Sequence, residues 1–333
     1  MLGQMASMNM QQIAGGLLLA RLTGSPAIVG MMSLANAIPM IILSLFGGVI
    51  ADKVEKKYVL LYGQIAFALA SFCIAIALHV GYLSSEHEGS WWILMVSAAI
   101  QGSIMGLVMP SRQSIVNDIV PSKDLMNAIS LNFMGMNALQ LFAPALAGFM
   151  VDSFDFKAVY YTMTALYLMA MVFFIILPKT GIKTINRSNV ITHIKEGFMY
   201  VGRQQTIRLV LILSMISVIL SMPYGMLMPF FADDILHVGA RGMGILMSVS
   251  GVGAIIASFT LASLPSKKRG LLLLGGGVFL GVSLTGFAFS SSWPLSLALI
   301  ALVGIGSTVR MALSNTLVQY YVDDEYRGRV MSL

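Results

Sequence analysis

The chain is a series of long apolar blocks separated by very short polar turns. The clearest turn follows Gly47-Gly48, where Asp52, Lys53, Glu55, Lys56 and Lys57 fall close together before apolar sequence resumes at Tyr58. A helix needs about 20 predominantly apolar residues to cross a bilayer. Ten blocks approach or exceed that length: 4–22, 27–50, 58–82, 91–117, 127–151, 158–178, 207–232, 240–264, 270–290 and 293–318. Helix is the expected state, because backbone N–H and C=O groups in lipid must bond within their own segment. The pattern predicts an all-α polytopic membrane protein.

The turns alternate in charge. One set holds Lys53, Lys56, Lys57, Lys123, Lys179, Lys183, Arg187, Lys195, Arg203, Lys267, Lys268, Arg269, Arg327 and Arg329. The other is mostly acidic, with Glu86, Glu88, Asp152, Asp155, Asp233 and Asp234, and its only bases are Arg21, Lys157 and Arg241. Lysine-rich turns mark the cytoplasmic side, so both chain ends are expected inside a bacterial inner membrane. The longest and most polar connection, 179–206, separates an N-terminal six-helix bundle, 1–178, from a C-terminal bundle, 207–333, of four helices. Within it, 191–201 has the pattern of an amphipathic helix lying on the inner surface.

Composition narrows the function classes. Apolar residues make up 57% of the 333 residues and charged ones only 10%, against about 25% charged in soluble domains. Mean hydropathy is +0.85. The net charge of +6 sits in short turns, which points to membrane topology and away from nucleic acid. Cys73 is the only cysteine, so no intrachain disulfide can form, and the four histidines have no metal-ligand spacing. No Gly-rich phosphate loop with Lys-Ser/Thr is present, and no catalytic cluster emerges. The expectation is a monomeric non-enzyme without metal or cofactor, driven by an ion gradient. No basic segment precedes the first block, so it does not read as a cleavable signal.

The two parts repeat. A shift of 214 residues places Gly30-Met31-Met32-Ser33 on Gly244-Ile245-Leu246-Met247, and the Asp52 turn on Ser266-Lys267-Lys268-Arg269, which lacks the acid. A shift of 202 places Gly102 on Gly304. A parallel repeat of six spans is a transporter pattern. On that plan the chain shows ten of twelve spans, with the first shortened and the last two missing, as in a truncated chain or gene fragment.

These residues resemble the major facilitator superfamily. Its loop between the second and third spans reads G-x-x-x-D-[RK]-x-G-[RK]-[RK]; Gly48, Asp52, Lys53, Lys56 and Lys57 match, and Glu55 stands where glycine is usual. The resemblance implies a gating latch; the residues alone also allow a plain topology signal. Further stretches are similar to the drug and siderophore exporter branch that includes the enterobactin exporter: Leu22-Thr23-Gly24-Ser25-Pro26, Met109-Pro110-Ser111-Arg112-Gln113, Arg241-Gly242-Met243-Gly244 and Tyr326-Arg327-Gly328-Arg329-Val330-Met331-Ser332. The fifth-span antiporter motif G-P-x-x-G-G appears as Ala143-Pro144-Ala145-Leu146-Ala147-Gly148. Gln101-Gly102 is present, but Ala98 replaces the arginine that many members carry three residues earlier, so that arginine's coupling role does not transfer.

Ionisable groups within spans are costly and usually functional. Arg310 lies about 12 residues, or roughly 18 Å of helix rise, before Asp323. It either meets a cavity, an anionic substrate or a carboxylate, or snorkels to the headgroups or pairs with Asp118. Arg112 and Asp118 read as interface or gating charges near the cytoplasmic exit. Asn9, Gln12, Asn36, Gln101, Asn132, Asn137, Gln140 and Asn315 line a cavity or join helices. Tyr224 sits in a seventh span that Pro223 and Pro229 are expected to break. The 26 methionines suit varied apolar ligands or simply face lipid.

The resulting expectation is a secondary active transporter that exports small amphipathic molecules, drug or siderophore, against protons by alternating access. An importer or uniporter of the same fold and a non-transporting fragment are the alternatives.

Overall fold

The computed structural model of the chain describes residues 2–84, 87, 89–121, 124–177, 199–263 and 269–323. Some side chains inside these ranges, those of Gly48 and Asp52 among them, lie outside the description. So do most of 191–201, Lys123, Ser266 to Lys268, and the Tyr326 to Ser332 stretch. Residues 199–203 are helical.

Every apolar block read from the sequence is a helix. The first four are α1 (Leu2–Thr23), α2 (Pro26–Lys53), α3 (Lys56–His79) and α4 (Trp92–Ile119). Leu125–Ile176 is one helical run broken at Asp155, whose φ of 72° is left-handed. Its limbs are α5, 125–154, and α6, 156–176. The run continues with α7 (Gln205–Phe230), a π-helical turn (Phe231–Ile235), α8 (Gly239–Ser263), α9 (Arg269–Ala288) and α10 (Trp293–Tyr321). Local chemistry sets the starts. Pro26 opens α2 and Pro294 the first turn of α10, positions where proline's fixed φ suits a helix and its missing N–H costs nothing.

Among the described residues, eight helical stretches are long and apolar enough to cross a membrane, and one of them, the 43-residue Met134–Ile176, holds much of α5 and all of α6. The helix α1 is not among the eight. Gln4, Asn9, Gln11 and Gln12 dilute its hydropathy, and they do so in the helix most enclosed by protein: Met10, Ile13, Leu17 and Leu19 have no exposed surface. Elsewhere large apolar side chains face outward, such as Ile176, Leu220 and Phe259. So much exposed apolar surface belongs in lipid, not water.

Contacts divide the chain into two compact units: Met1–Thr184 with Met226–Ser248, and Ile185–Gly225 with Val249–Leu333. In the first unit α1 and α3 both pack on the α5–α6 run, and α2 packs along α4. The rings of Phe67 and Tyr167 stack at 5.3 Å. The α2–α4 contact is backbone on backbone. Cβ atoms at Gly102 and Gly106 would overlap the carbonyl oxygens of Asn36 and Met40. This G-x-x-x-G stripe lets the two helices approach without side chains between them.

The second unit repeats the device. A Cβ at Gly304 would overlap the carbonyl oxygen of Ser250, 214 positions beyond Asn36, just as Gly304 lies 202 beyond Gly102. Gly276 meets Val309 as Gly63 meets Val108. Both shifts read from the sequence therefore correspond to one repeated helix contact. The unit's core joins Ile207 and Val210 of α7, Leu273 of α9, and Leu313, Leu317 and Val318 of α10.

Candidate functional site

The lysine turn after α2 is built into the first unit. Lys53 lies in the last turn of α2, where a cation complements the helix dipole. Lys56, at the start of α3, donates to Asp118 at the end of α4, and both side chains are largely buried. Lys57 donates to the carbonyls of Ile175 (2.7 Å) and Leu177 (2.6 Å), supplying partners to the open C-terminus of α6. The turn thus ties the ends of α4 and α6 to the start of α3, a structural role beyond topology. Asp118 takes Lys56 as a partner.

Arg112 is buried in α4. About three turns earlier in the same helix, Gln101 donates to Ser97 at 3.1 Å. The Asn36 amide donates at 3.0 Å to the carbonyl of Ala98, the position where the family pattern has arginine. Asn36, Ala98, Gln101 and Gly102 are thus brought together at the α2–α4 seam, where Asn36 acts as interhelical glue. Asn9 bonds within its own helix, to the Met5 carbonyl at 2.9 Å. Asn315 and Asn137 are both exposed.

The fifth-span motif packs on α8. A Cβ at Gly148 would overlap the Ala240 carbonyl oxygen, and one at Gly244 would lie 2.6 Å from that of Pro144. Ala143 and Ala147 are buried beside them. Two stretches singled out separately in the sequence, around Pro144 and around Arg241 to Gly244, are therefore one contact. The expected break of the seventh span takes another form. The helix α7 is continuous across Pro223 and Pro229 to Phe230 and only then widens into the π-turn. Tyr224 approaches Ser250 of α8.

Arg310 lines a cavity of about 240 Å³ in the second unit with Leu213, Ser217, Leu273, Leu274, Gly277 and Val278. Its Nε is buried without a hydrogen-bond partner among the described residues. A larger cavity of about 350 Å³ lies alongside, lined by apolar residues of α8, α9 and α10 from Ile256 to Val309.

Two features escaped the sequence reading. The first is a buried polar core in the first unit: Gln4 and Gln64 are fully enclosed and neither amide has a partner among the described residues. The Tyr160 hydroxyl lies near Gln11. Polar residues seven apart on three helices (4 and 11, 64 and 71, 160 and 167) were the available signal. The second is an ion pair between Arg21 and Asp233. Arg21 stood out as one of few bases in the acidic turns, but nothing in the sequence named its partner.

The chain is 22% identical over 327 residues to the uncharacterized MFS-type transporter YfiS of Bacillus subtilis (strain 168), covering 93% of the chain and 74% of the relative. It is 22% identical over 308 residues to the staphyloferrin A transporter of Staphylococcus aureus (strain NCTC 8325 / PS 47), covering 92% and 76%. It is 32% identical over 158 residues to the quinolone resistance protein NorA of Staphylococcus aureus, covering 47% and 37%. Among solved structures it is similar in fold to a D-xylose-proton symporter, with a TM-score of 0.76 at 12% identity, covering 99% of the chain and 83% of the symporter. A bacterial homologue of the iron transporter ferroportin in an inward-facing state gives 0.71 at 17% identity, with 99% and 85% covered. These relatives are transporters, not enzymes. The family model for the Major Facilitator Superfamily matches residues 1–333, and the chain belongs to that superfamily of membrane transporters.

Proposed function

We propose that the chain exports small amphipathic molecules across the bacterial inner membrane in exchange for protons, by alternating access. Its lysine-rich turns would be cytoplasmic, with two bundles, 1–178 and 207–333, rocking about a midplane site. The observation that carries the export reading is the α5–α8 seam: Gly148 on Ala240 and Gly244 on Pro144 give the antiporter motif a close-packed partner despite its two alanines. The siderophore and drug relatives support the substrate class. Arg310, beside an apolar cavity, would favour substrates that combine an anionic group with an apolar body. The gating role falls to the Asp52 turn, with Arg112 and Asp118 at the same end.

The test is a drug and siderophore susceptibility panel in cells with and without the gene, followed by proton flux in proteoliposomes with any compound that scores. Substrate movement without a pH change removes antiport. One observation favours an importer or uniporter: Ala98, where the family pattern has arginine, is engaged through its backbone by Asn36 and offers no charge for coupling. Asp52→Asn is expected to insert normally and transport poorly; normal transport by that variant would reduce the turn to a structural and topological role.

A further inference from the structure

Resting on the alternating-access reading, we propose that Arg21, Phe156 and Asp233 form the latch of the gate at the acid-rich end. Three turns meet there. The helix α1 ends at Thr23 before Gly24, whose φ is 60°. The α5–α6 run breaks at Asp155, whose Oδ1 accepts the N–H of Phe156 at 2.7 Å. The helix α7 widens into Phe231–Ile235, followed by His237 at φ 53° and Gly239 at φ 63°. Asp155 and His237 are the only non-glycine residues with positive φ among the described residues. Both flank this one spot, and such conformations cluster where structure serves function.

The contacts are specific. Arg21 presents a fork to Asp233, with Nε to Oδ2 at 2.9 Å and Nη2 to Oδ1 at 3.3 Å. The same guanidinium lies 5.6 Å from the centre of the Phe156 ring, a cation–π contact. The His237 Nδ1 donates to the Asp233 carbonyl at 3.0 Å and fixes the turn that carries the carboxylate. A π-turn re-aims side chains relative to an α-helix, which is how Asp233 faces α1. Next to it the contact is dry: Met228 and Ala232 are buried, and a Cβ at Gly16 would touch Pro229.

The segment carrying Asp233, Met226–Ser248, belongs to the first unit, while the remainder of α7 and α8 belongs to the second. Any opening at this end must lift that segment from α1. Apolar contacts there have no direction, so the Arg21–Asp233 fork is the element that sets the closed register. With side-chain exposures of 42% and 26% it is partly solvated, and such pairs are weak enough to break reversibly.

The test uses the full chain in membranes, with Cys73→Ser and a reporter Ala232→Cys, labelled by a membrane-impermeant maleimide added from the acid-rich side. Asp233→Asn and Arg21→Gln are each expected to raise the labelling rate about two- to fivefold. The swap Arg21→Asp/Asp233→Arg is expected to return it close to the parent. Phe156→Leu, with the pair intact, is expected to give a smaller rise, and it keeps the test open if a charge variant fails to fold. Unchanged labelling in the folded single variants overturns the latch, and so does a swap as open as they are. Labelling needs no substrate: a variant set that opens as expected in a protein that moves no compound supports the latch and counts against the transport reading, and active transport with unchanged labelling overturns the latch alone.

Discussion

Gly102→Ala probes the seam on which the repeated architecture rests. The added Cβ would overlap the Asn36 carbonyl oxygen and sit 2.8 Å from its carbon and 3.0 Å from the Asn36 Cα. Carbon atoms in contact prefer about 3.5–4.0 Å, so α2 must retreat by roughly 0.5–1 Å. A gap of that size forfeits about a quarter to a half of each neighbouring dispersion contact and stretches the Asn36–Ala98 hydrogen bond, now 3.0 Å. Overpacking of this kind costs about 1–3 kcal/mol, partly offset by the roughly 1 kcal/mol that alanine gains over glycine in a helix. The expected net loss is about 0–2 kcal/mol by these figures. Gly30, in α2, has nothing within 4 Å of its would-be Cβ, so Gly30→Ala is expected to stabilise by up to about 1 kcal/mol. Gly304→Ala should behave like Gly102→Ala, because it meets Ser250 in the same way. Unfolding in mild detergent, titrated with SDS and followed by tryptophan fluorescence, reads the differences. If Gly102→Ala proves as stable as Gly30→Ala, the backbone contact between α2 and α4 is wrong.

Three further outcomes are expected from the same assay. Lys56→Ala leaves the Asp118 carboxylate largely buried without its lysine, a loss of about 3 kcal/mol; Lys56→Ala/Asp118→Asn should recover more than half of it, and no recovery would show that the pair is not the cause. Lys57→Met keeps the apolar stem but removes the donor to Ile175 and Leu177, costing about 0.5–1.5 kcal/mol; an unchanged midpoint would mean the capping contributes nothing. Gln64→Leu replaces a fully enclosed amide that lacks partners by an apolar group of similar size, so stability should hold or rise; a loss above about 2 kcal/mol would show that the amide is bonded after all, through water or Gln4.

The fold was legible because one physical rule dominates it. A backbone in lipid must be helical, so block lengths alone located ten helices and placed the turns close to their ends. The repeat was legible because glycine is needed wherever two backbones touch, and Gly102 and Gly304 mark that contact in both units. The candidate site was less legible. That Asn36 would bond to the Ala98 carbonyl, or that Asp118 would take Lys56, depends on which faces of α2, α3 and α4 meet, and helical pattern does not fix this when most faces are apolar. The helix α1 shows the limit of hydropathy alone: Gln4 and Gln11 lower it, yet protein, not lipid, surrounds this helix. Proline was also read too strongly. Pro223 and Pro229 suggested a broken helix, whereas α7 runs on through both to Phe230 and only then gives way to a π-turn five residues long.

The first unit is held by different chemistry at its two ends, and this bears on which end opens. At the lysine-rich end, Lys56 and Asp118 join α3 to α4, with side-chain exposures of only 15% and 9%. Breaking such a pair by separating its partners exposes two poorly solvated charges and costs several kcal/mol. It joins two helices of the first unit. At the acid-rich end, Arg21 and Asp233 are about three times more exposed, at 42% and 26%, and link α1 to a segment entered from the other unit through α7 and α8. That pair can part for about 1 kcal/mol or less, with the Arg21 guanidinium still resting on Phe156. The sequence shows the same division as a contrast of composition, lysines at one set of turns and acids at the other. The proposed latch reads that contrast as energetics: a firm tie where the lysines are, and a reversible one where arginine is rare enough that a single residue can serve as the switch.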